Sequence, residues 1–190
     1  MSLALLGILN SQAAGGGAGG YNLLESATIT TNNTFLSIQG LDAYSDYKHL
    51  QIRFTTNSYA LGSNWDNSWA YVNNFRTGAF GWGHELRSDG SVVTAETIQS
   101  GNPLLWQGRI SKRGETSQVR TSGIIDILDF SNPNKKTTIM QTSGYGMSGV
   151  YKTSLNSAKW DFTTPLNRID FENQSGGFQS TSRYFIYGVK

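Results

Sequence analysis

A two-residue alternation, interrupted at short intervals by turn residues, is the feature of this 190-residue chain that most limits its fold. It is clearest over residues 47–56, where every second side chain belongs to the same face of a strand. One face carries Lys48, Leu50, Ile52 and Phe54, and the other carries Tyr47, His49, Gln51 and Arg53. We expect the first face to be core, with the Lys48 ammonium reaching water past its stem.

Runs of the same kind recur along the chain, at 27–31, 34–38, 68–75, 81–87, 92–99, 104–110, 118–130, 137–142, 150–154, 168–171 and 184–189. Turn-forming residues separate them at 88–90, 101–103, 132–134 and 175–177. Asn32 and Asn33 stand between the first two runs and predict a hairpin there. Because no stretch shows a helical apolar period, the sequence predicts an all-β fold. The expected architecture is an antiparallel β-sandwich of jelly-roll type over residues 21–190.

Two of these runs, 124–130 and 184–189, are apolar on both faces. In the first, Ile125 and Ile127 share one side, while Ile124, Leu128 and Phe130 share the other. An antiparallel sheet normally leaves one face in water. The second apolar face therefore needs a cover, which could be a loop, the N-terminal residues or, as we favour, a neighbouring subunit.

Residues 1–20 form a unit of different character, in which an apolar patch precedes a glycine-rich run at 15–20. Glycines lose the most conformational entropy on ordering, so this run behaves as a flexible linker. We expect an extended N-terminal arm that anchors the domain on a partner surface, with folding back onto its own domain as the alternative. The anchor residues would be Leu3, Leu5, Leu6, Ile8 and Leu9.

The composition narrows the classes of partner. The net charge is +2, and adjacent basic pairs occur only at 112–113 and 135–136, so nucleic-acid binding is not expected. The chain has no cysteine, which excludes disulfides and thiolate metal sites. No segment has the ~20 apolar residues that a membrane helix needs, so membrane insertion is not expected.

Catalytic and metal motifs are missing from the sequence. His49 and His84 lie far apart, and a histidine beside one glutamate is not a metal motif. We therefore expect no catalytic residue, no metal and no cofactor. A glycosidase remains an alternative only if Glu85, Glu96 and Asp161 meet in space, because that chemistry needs two carboxylates about 5–10 Å apart.

An aromatic segment suggests a second class of function, carbohydrate binding. Trp65, Trp69 and Tyr71 share strand parity in a stretch rich in asparagine, and Trp82 follows. Aromatic rings beside planar amides could form a glycan platform. The simpler interpretation, which we favour, is an aromatic stripe in the core or at a subunit contact.

Several segments carry a more specific pattern. The opening reads LLGILNSQ at 5–12, then the glycine run, then YNLLE at 21–25, and residues 44–53 read YSDYKHLQIR. A further stretch runs from 72–75 to 84–86. The closing part has Trp160, TPLNRIDF at 164–171, Gly177 with Phe178, and SRYFIYGVK at 182–190.

These segments resemble virion structural proteins of tailed bacteriophages, many of them from cyanophages and other marine phages. The closing part is the most specific, although Thr181 stands where the family has glycine, and the match is loose through 88–117. The resemblance implies a non-enzymatic module of a tail fibre, head fibre or neck decoration. Such a protein would be made in the host cytoplasm and reside in the virion.

By the same analogy, we expect a homotrimer docked through residues 1–20 on capsid, neck or tail proteins. The alternative from another class is a host-attachment module that binds a glycan on the host surface.

Overall fold

The computed structural model describes residues 20–190 except 34, 61–64, 76–80, 89–90, 100–103, 113–119, 148–149 and 161–162. Within this part of the chain, a single 3-10 turn at Leu41–Tyr44 accompanies twelve β-strands. The strands are β1 (Tyr21–Thr28), β2 (Phe35–Ile38), β3 (His49–Thr56), β4 (Trp65–Val72), β5 (Gly81–Ser88), β6 (Val93–Gln99), β7 (Leu104–Ser111), β8 (Thr121–Leu128), β9 (Thr138–Met147), β10 (Val150–Trp160), β11 (Ile169–Asn173) and β12 (Arg183–Val189).

These strands form two antiparallel sheets that pack face to face, so the predicted all-β sandwich is confirmed. The larger sheet has the order β1-β12-β3-β8-β9-β10-β5-β6, and the smaller has the order β2-β11-β4-β7. The core cluster between them takes buried side chains from both sheets, including Ile52 of β3 and Phe171 of β11. The sheets are joined at the centre by stacked rings, since the centroids of Phe171 and Tyr184 lie 4.8 Å apart.

The predicted hairpin over residues 27–38 is wrong. β1 pairs with β12, whereas β2 pairs with β11, so the chain passes from one sheet to the other between these strands. The connecting residues bond to the closing part of the chain instead of to each other. Asn33 forms a bridge with Phe178, and Oδ1 of Asn32 accepts a hydrogen bond of 3.0 Å from the N–H of Ser180.

The predicted core face of β3 is confirmed, because Leu50, Ile52 and Phe54 are all buried. Lys48 precedes the strand and is exposed. The opposite face of β3 is not wet throughout. Gln51 is buried there, and its amide nitrogen donates to Oδ1 of Asp126 over 2.8 Å.

The second face of β12 is covered by the chain itself. The guanidinium carbon of Arg53 lies 4.4 Å from the ring centroid of Tyr187 and 5.1 Å from that of Tyr21. Tyr187 is consequently buried on the outside of the sheet. In the run at 124–130, Phe130 lies beyond the end of β8, after the left-handed Asp129, and is fully buried in the core. Ile124 stays exposed.

Candidate functional site

In one half of the larger sheet the inner face mixes apolar core residues, such as Ile139 and Trp160, with buried polar residues, while the outer face carries large apolar residues. In β9 and β10 the side chains facing the smaller sheet include Gln141, Ser143, Ser154 and Asn156, all of them buried. The side chains that alternate with them on the outer face include two large apolar residues, Met140 and Leu155, which are 53% and 52% exposed. An alternation with polar residues inside and apolar residues outside is the opposite of what burial alone favours.

Exposed apolar residues of β5, β8, β9 and β10 lie close together on the outer face, in what we call the outer apolar strip: Leu86, Ile124, Met140 and Leu155. Leu86 and Leu155 lie directly opposite each other. The exposed Thr142 of β9 stands between Leu155 and Ile124, and Met140 lies two residues before Thr142 on the same face. Leu86 and Ile124 are 45% and 40% exposed. A shallow groove of about 480 Å³ follows the strip and is flanked by His84 and Asp126.

Several polar groups beneath the strip are paired with one another, whereas neither amide atom of the buried Asn156 has a hydrogen-bond partner among the described residues. The hydroxyl oxygens of Ser143 and Ser154 lie 2.8 Å apart, and the Gln141 amide donates to Ser143 over 3.3 Å. Glu85 accepts a hydrogen bond of 3.2 Å from Nη1 of Arg87, with a side chain only 2% exposed. Hydrogen bonding and ion pairing offset the desolvation of Ser143, Ser154 and Glu85. The buried Asn156 amide has no such compensation from the part of the chain that the structure describes.

The carboxylates considered for glycoside hydrolysis are only partly placed. Glu85 lies opposite Glu96 across β5 and β6, whereas Asp161 lies outside the described residues. The Glu85 carboxylate faces the other sheet and is held by Arg87, so solvent does not reach it freely. Among the residues that the structure describes, no group of three or more His, Cys, Asp or Glu is placed to hold a metal ion.

The predicted aromatic residues are divided between the two sheets. Trp65, Trp69 and Tyr71 lie on β4 of the smaller sheet, whereas Trp82 lies on β5 of the larger one. Trp69 is half-buried and faces Glu172 in register, and Tyr71 is buried opposite Asp170. The side chains of Trp65 and Trp82 lie outside what the structure describes. Trp82 is therefore not part of the same strand face as the other three residues.

The predicted anchor residues Leu3, Leu5, Leu6, Ile8 and Leu9 lie outside the described residues, so their role stays a prediction. In the described part of the chain, no helix has both the length and the apolar character required to cross a membrane.

A second concave surface lies at one end of the smaller sheet, and we call it the loop-end cleft. Its volume is about 720 Å³. Three connections line it, with Gln39, Gly40 and Asp42 from the first, Asn73, Asn74 and Phe75 from the second, and Thr164, Pro165, Asn167 and Arg168 from the third. Sequence reasoning noted Asn73 and Asn74 as part of an asparagine-rich segment but did not bring the other two loops to them. The missing information is the pairing of β11 with both β2 and β4.

Comparison with known proteins gives no relative: no family model, no curated protein and no solved structure matches the chain.

Proposed function

We propose that the chain is a non-enzymatic structural protein of a tailed-bacteriophage virion, an appendage module of a fibre or decoration. In this proposal, residues 1–20 dock on capsid, neck or tail proteins, and the sandwich projects from the particle as a homotrimer.

The observation that carries the proposal is the outer apolar strip, together with the buried polar groups on the opposite face of β5, β9 and β10. Met140, Leu155 and Leu86 place large apolar side chains in water, while their strand neighbours bury polar groups at the inner face. Contiguous exposed apolar surface on a folded domain marks a contact with another body. In a protein that is built into an assembly, a neighbouring molecule would cover such a face.

The resemblance to phage virion proteins supports the same proposal, because the resembling segments form strands inside both sheets. Its most specific segments supply β11 and β12, each lying between two other strands in its own sheet. Leu166, Ile169, Phe171, Phe178, Tyr184 and Ile186 of these segments are buried core residues. The use of this closing pattern in the core supports the proposal that the resembling virion proteins share the sandwich, and the virion role is proposed by analogy.

We also infer a jelly-roll order for the sandwich. Without β5, β6, β9 and β10, the remaining strands run β1-β12-β3-β8 in one sheet and β2-β11-β4-β7 in the other. Numbered afresh from one to eight, that order is 1-8-3-6 and 2-7-4-5, which an eight-stranded jelly roll adopts. The β5–β6 and β9–β10 hairpins then extend the larger sheet beyond the roll. Jelly rolls are frequent in viral capsid and lectin domains.

Complementation of a phage that lacks the gene tests the virion role. The full chain should co-purify with particles, and a chain without residues 1–20 should remain folded by circular dichroism yet be absent from them. A full-length chain in which Leu5 and Leu6 are both replaced by Asp keeps the arm's length and should also fail to incorporate. Normal incorporation of the truncated chain, or a full chain found in cells but never on particles, would contradict the proposal.

A further inference from the structure

We propose that the loop-end cleft is a binding site for a neutral saccharide. This inference concerns ligand binding by the isolated chain, and it does not depend on the virion role. It rests on how the cleft is built, on the chemistry of its lining and on the balance of its charges.

The cleft is built where three chain segments are held at the same end of one sheet. Ile169, the first residue of β11, lies opposite Ile38 at the end of β2 and opposite Val72 at the end of β4. The loops that follow β2 and β4 and the loop that precedes β11 therefore meet around one point. Loops positioned by a rigid sheet are the usual place for binding residues.

Asn73 fixes the relative positions of these loops. Its Oδ1 accepts hydrogen bonds from the N–H groups of Asn167 and Arg168 over 2.8 and 3.1 Å, and its Nδ2 donates to the carbonyl of Pro165 over 3.0 Å. The first loop is tied in by Oδ1 of Asn167, which accepts a bond of 3.1 Å from the N–H of Gly40. The cleft is thus braced before any ligand arrives, which lowers the entropy cost of binding.

The turn at Asn73 and Asn74 exposes an amide beside this brace. Both residues have positive φ, at 48° and 60°, and the N–H of Phe75 donates to the carbonyl of Val72 over 2.9 Å. These are the features of a type I′ turn, in which asparagine is favoured. While Asn73 is consumed by the brace, Asn74 is exposed.

The lining suits the hydroxyl groups of a sugar. Asn74 offers a planar amide, Asp42 a carboxylate and Thr164 a hydroxyl, all on exposed residues. Gln39 and Asn167 add one amide group each, beside the bonds that Gln39 Nε2 donates to Ser37 and that Asn167 Oδ1 accepts from Gly40. Planar amides and carboxylates present paired donors and acceptors, which match adjacent hydroxyls of a pyranose ring. Phe75, half-buried against the core with its ring centroid 5.9 Å from that of Trp160, is the aromatic residue of the lining.

The charges of the lining favour a neutral ligand. Asp42 and Arg168 are the charged residues of the lining, and they have opposite signs. Nε of Arg168 donates to Oδ1 of the buried Asp170 over 2.9 Å, so its charge is already compensated. An acidic saccharide would therefore meet no unpaired cation in this cleft, whereas a neutral saccharide does not need one.

The proposal is tested by measuring binding of the purified full chain to an array that carries neutral, sialylated and sulfated oligosaccharides. The wild type should bind at least one neutral glycan. Asp42→Ala and Asn74→Gly should each lower the affinity for that glycan about tenfold, measured by calorimetry, through loss of one or two hydrogen bonds. Glycine is compatible with the positive φ at position 74. Asn134→Ala, an exposed asparagine outside the cleft, should bind as wild type.

Both cleft variants should retain the wild-type melting temperature, which separates lost contacts from lost folding. Absence of neutral-glycan binding by the wild type, or binding to acidic glycans alone, would overturn the proposal. It would also be overturned if Asp42→Ala and Asn74→Gly keep full affinity while Trp69→Ala loses it, because the site would then be the β4 aromatic face. None of these results bears on particle incorporation, so the two proposals fail separately.

Discussion

Gly123 lies on the inner face of β8, where the ring of Phe54 crosses it. A Cβ atom built at Gly123 would lie 2.5 Å from Cζ of Phe54 and 2.7 Å from the carbonyl oxygen of Thr142. The second of these atoms belongs to the backbone of the neighbouring strand and cannot move without disturbing the sheet. Glycine is therefore required here by space and not by backbone conformation.

Gly123→Ala should lower the free energy of unfolding by about 1–3 kcal/mol, the usual cost of overpacking a core. Gly144→Ala on β9 is the matched control, because its nearest contact would be the carbonyl oxygen of Lys152 at 3.8 Å. That variant should stay within about 0.5 kcal/mol of wild type. Urea denaturation of the two variants measures both values, and equal stabilities would show that Phe54 does not pack on Gly123.

Gln51 shows what strand alternation cannot reveal about a single residue. Its parity predicted the outer face correctly, but the residue is buried there beneath Arg53, whose Nε donates to Oε1 of Gln51 over 2.7 Å. The cover consists of long side chains from β3 and β1, together with Asp126 of β8. These strands are brought together by pairing, which a local pattern does not contain.

At the scale of elements, the inner and outer faces of β3 should differ in the substitutions that they tolerate. Ile52→Asp should abolish cooperative folding, since an unpaired buried charge costs several kcal/mol and a domain is stable by only about 5–15 kcal/mol. Thr55→Asp, on the outer face of the same strand, should be mild, because Thr55 makes only a partly exposed hydroxyl contact of 3.3 Å with Ser122. Thermal melting followed by circular dichroism distinguishes them. Similar melting temperatures would contradict the observed parity.

The sequence predicted the positions of most strands and the core face of β3, because alternation and turn residues are local signals. It failed where pairing decides the outcome. Asn32 and Asn33 have the composition of a hairpin turn, yet Asn33 exchanges backbone hydrogen bonds with Phe178, and the side-chain oxygen of Asn32 accepts one from the N–H of Ser180. Partners some 145 residues away compete with the local turn, and the sequence at 27–38 contains no information about them.

The candidate sites divide in the same way. The aromatic residues of β4 were found from their spacing, but the membership of Trp82 in the other sheet depends on strand order. The loop-end cleft combines residues from 39–42, 73–75 and 164–168, which are adjacent only because β11 lies between β2 and β4. The pair Asn73 and Asn74 was the one signal of this cleft in the local sequence, because turns with positive φ favour asparagine.

For the whole molecule, the two halves of the larger sheet have different roles. The β1-β12-β3-β8 half carries the apolar inner side chains that meet the smaller sheet, such as Leu50, Ile125 and Ile186. The β9-β10-β5 half carries most of the outer apolar strip, and its inner face mixes core residues such as Ile139 and Trp160 with buried polar groups such as Ser143. The first half stabilises the domain, and we assign the second to contacts between copies.

Self-association through the outer apolar strip is therefore the prediction that tests this division. Sedimentation at micromolar concentration should give an oligomer, with a trimer expected, for the purified chain. Leu155→Lys should shift it towards monomer, because a desolvated lysine at the centre of an apolar contact costs several kcal/mol. The melting curve of that monomer should stay cooperative, since Leu155 is half exposed and belongs to no core cluster.

Thr153→Lys is the matched control, being exposed on the same face of β10 and opposite Gly144, outside the strip, and it should leave the oligomer intact. A wild-type chain that sediments as a well-folded monomer, or a Leu155→Lys oligomer of unchanged size, would show that the strip is not a contact between copies.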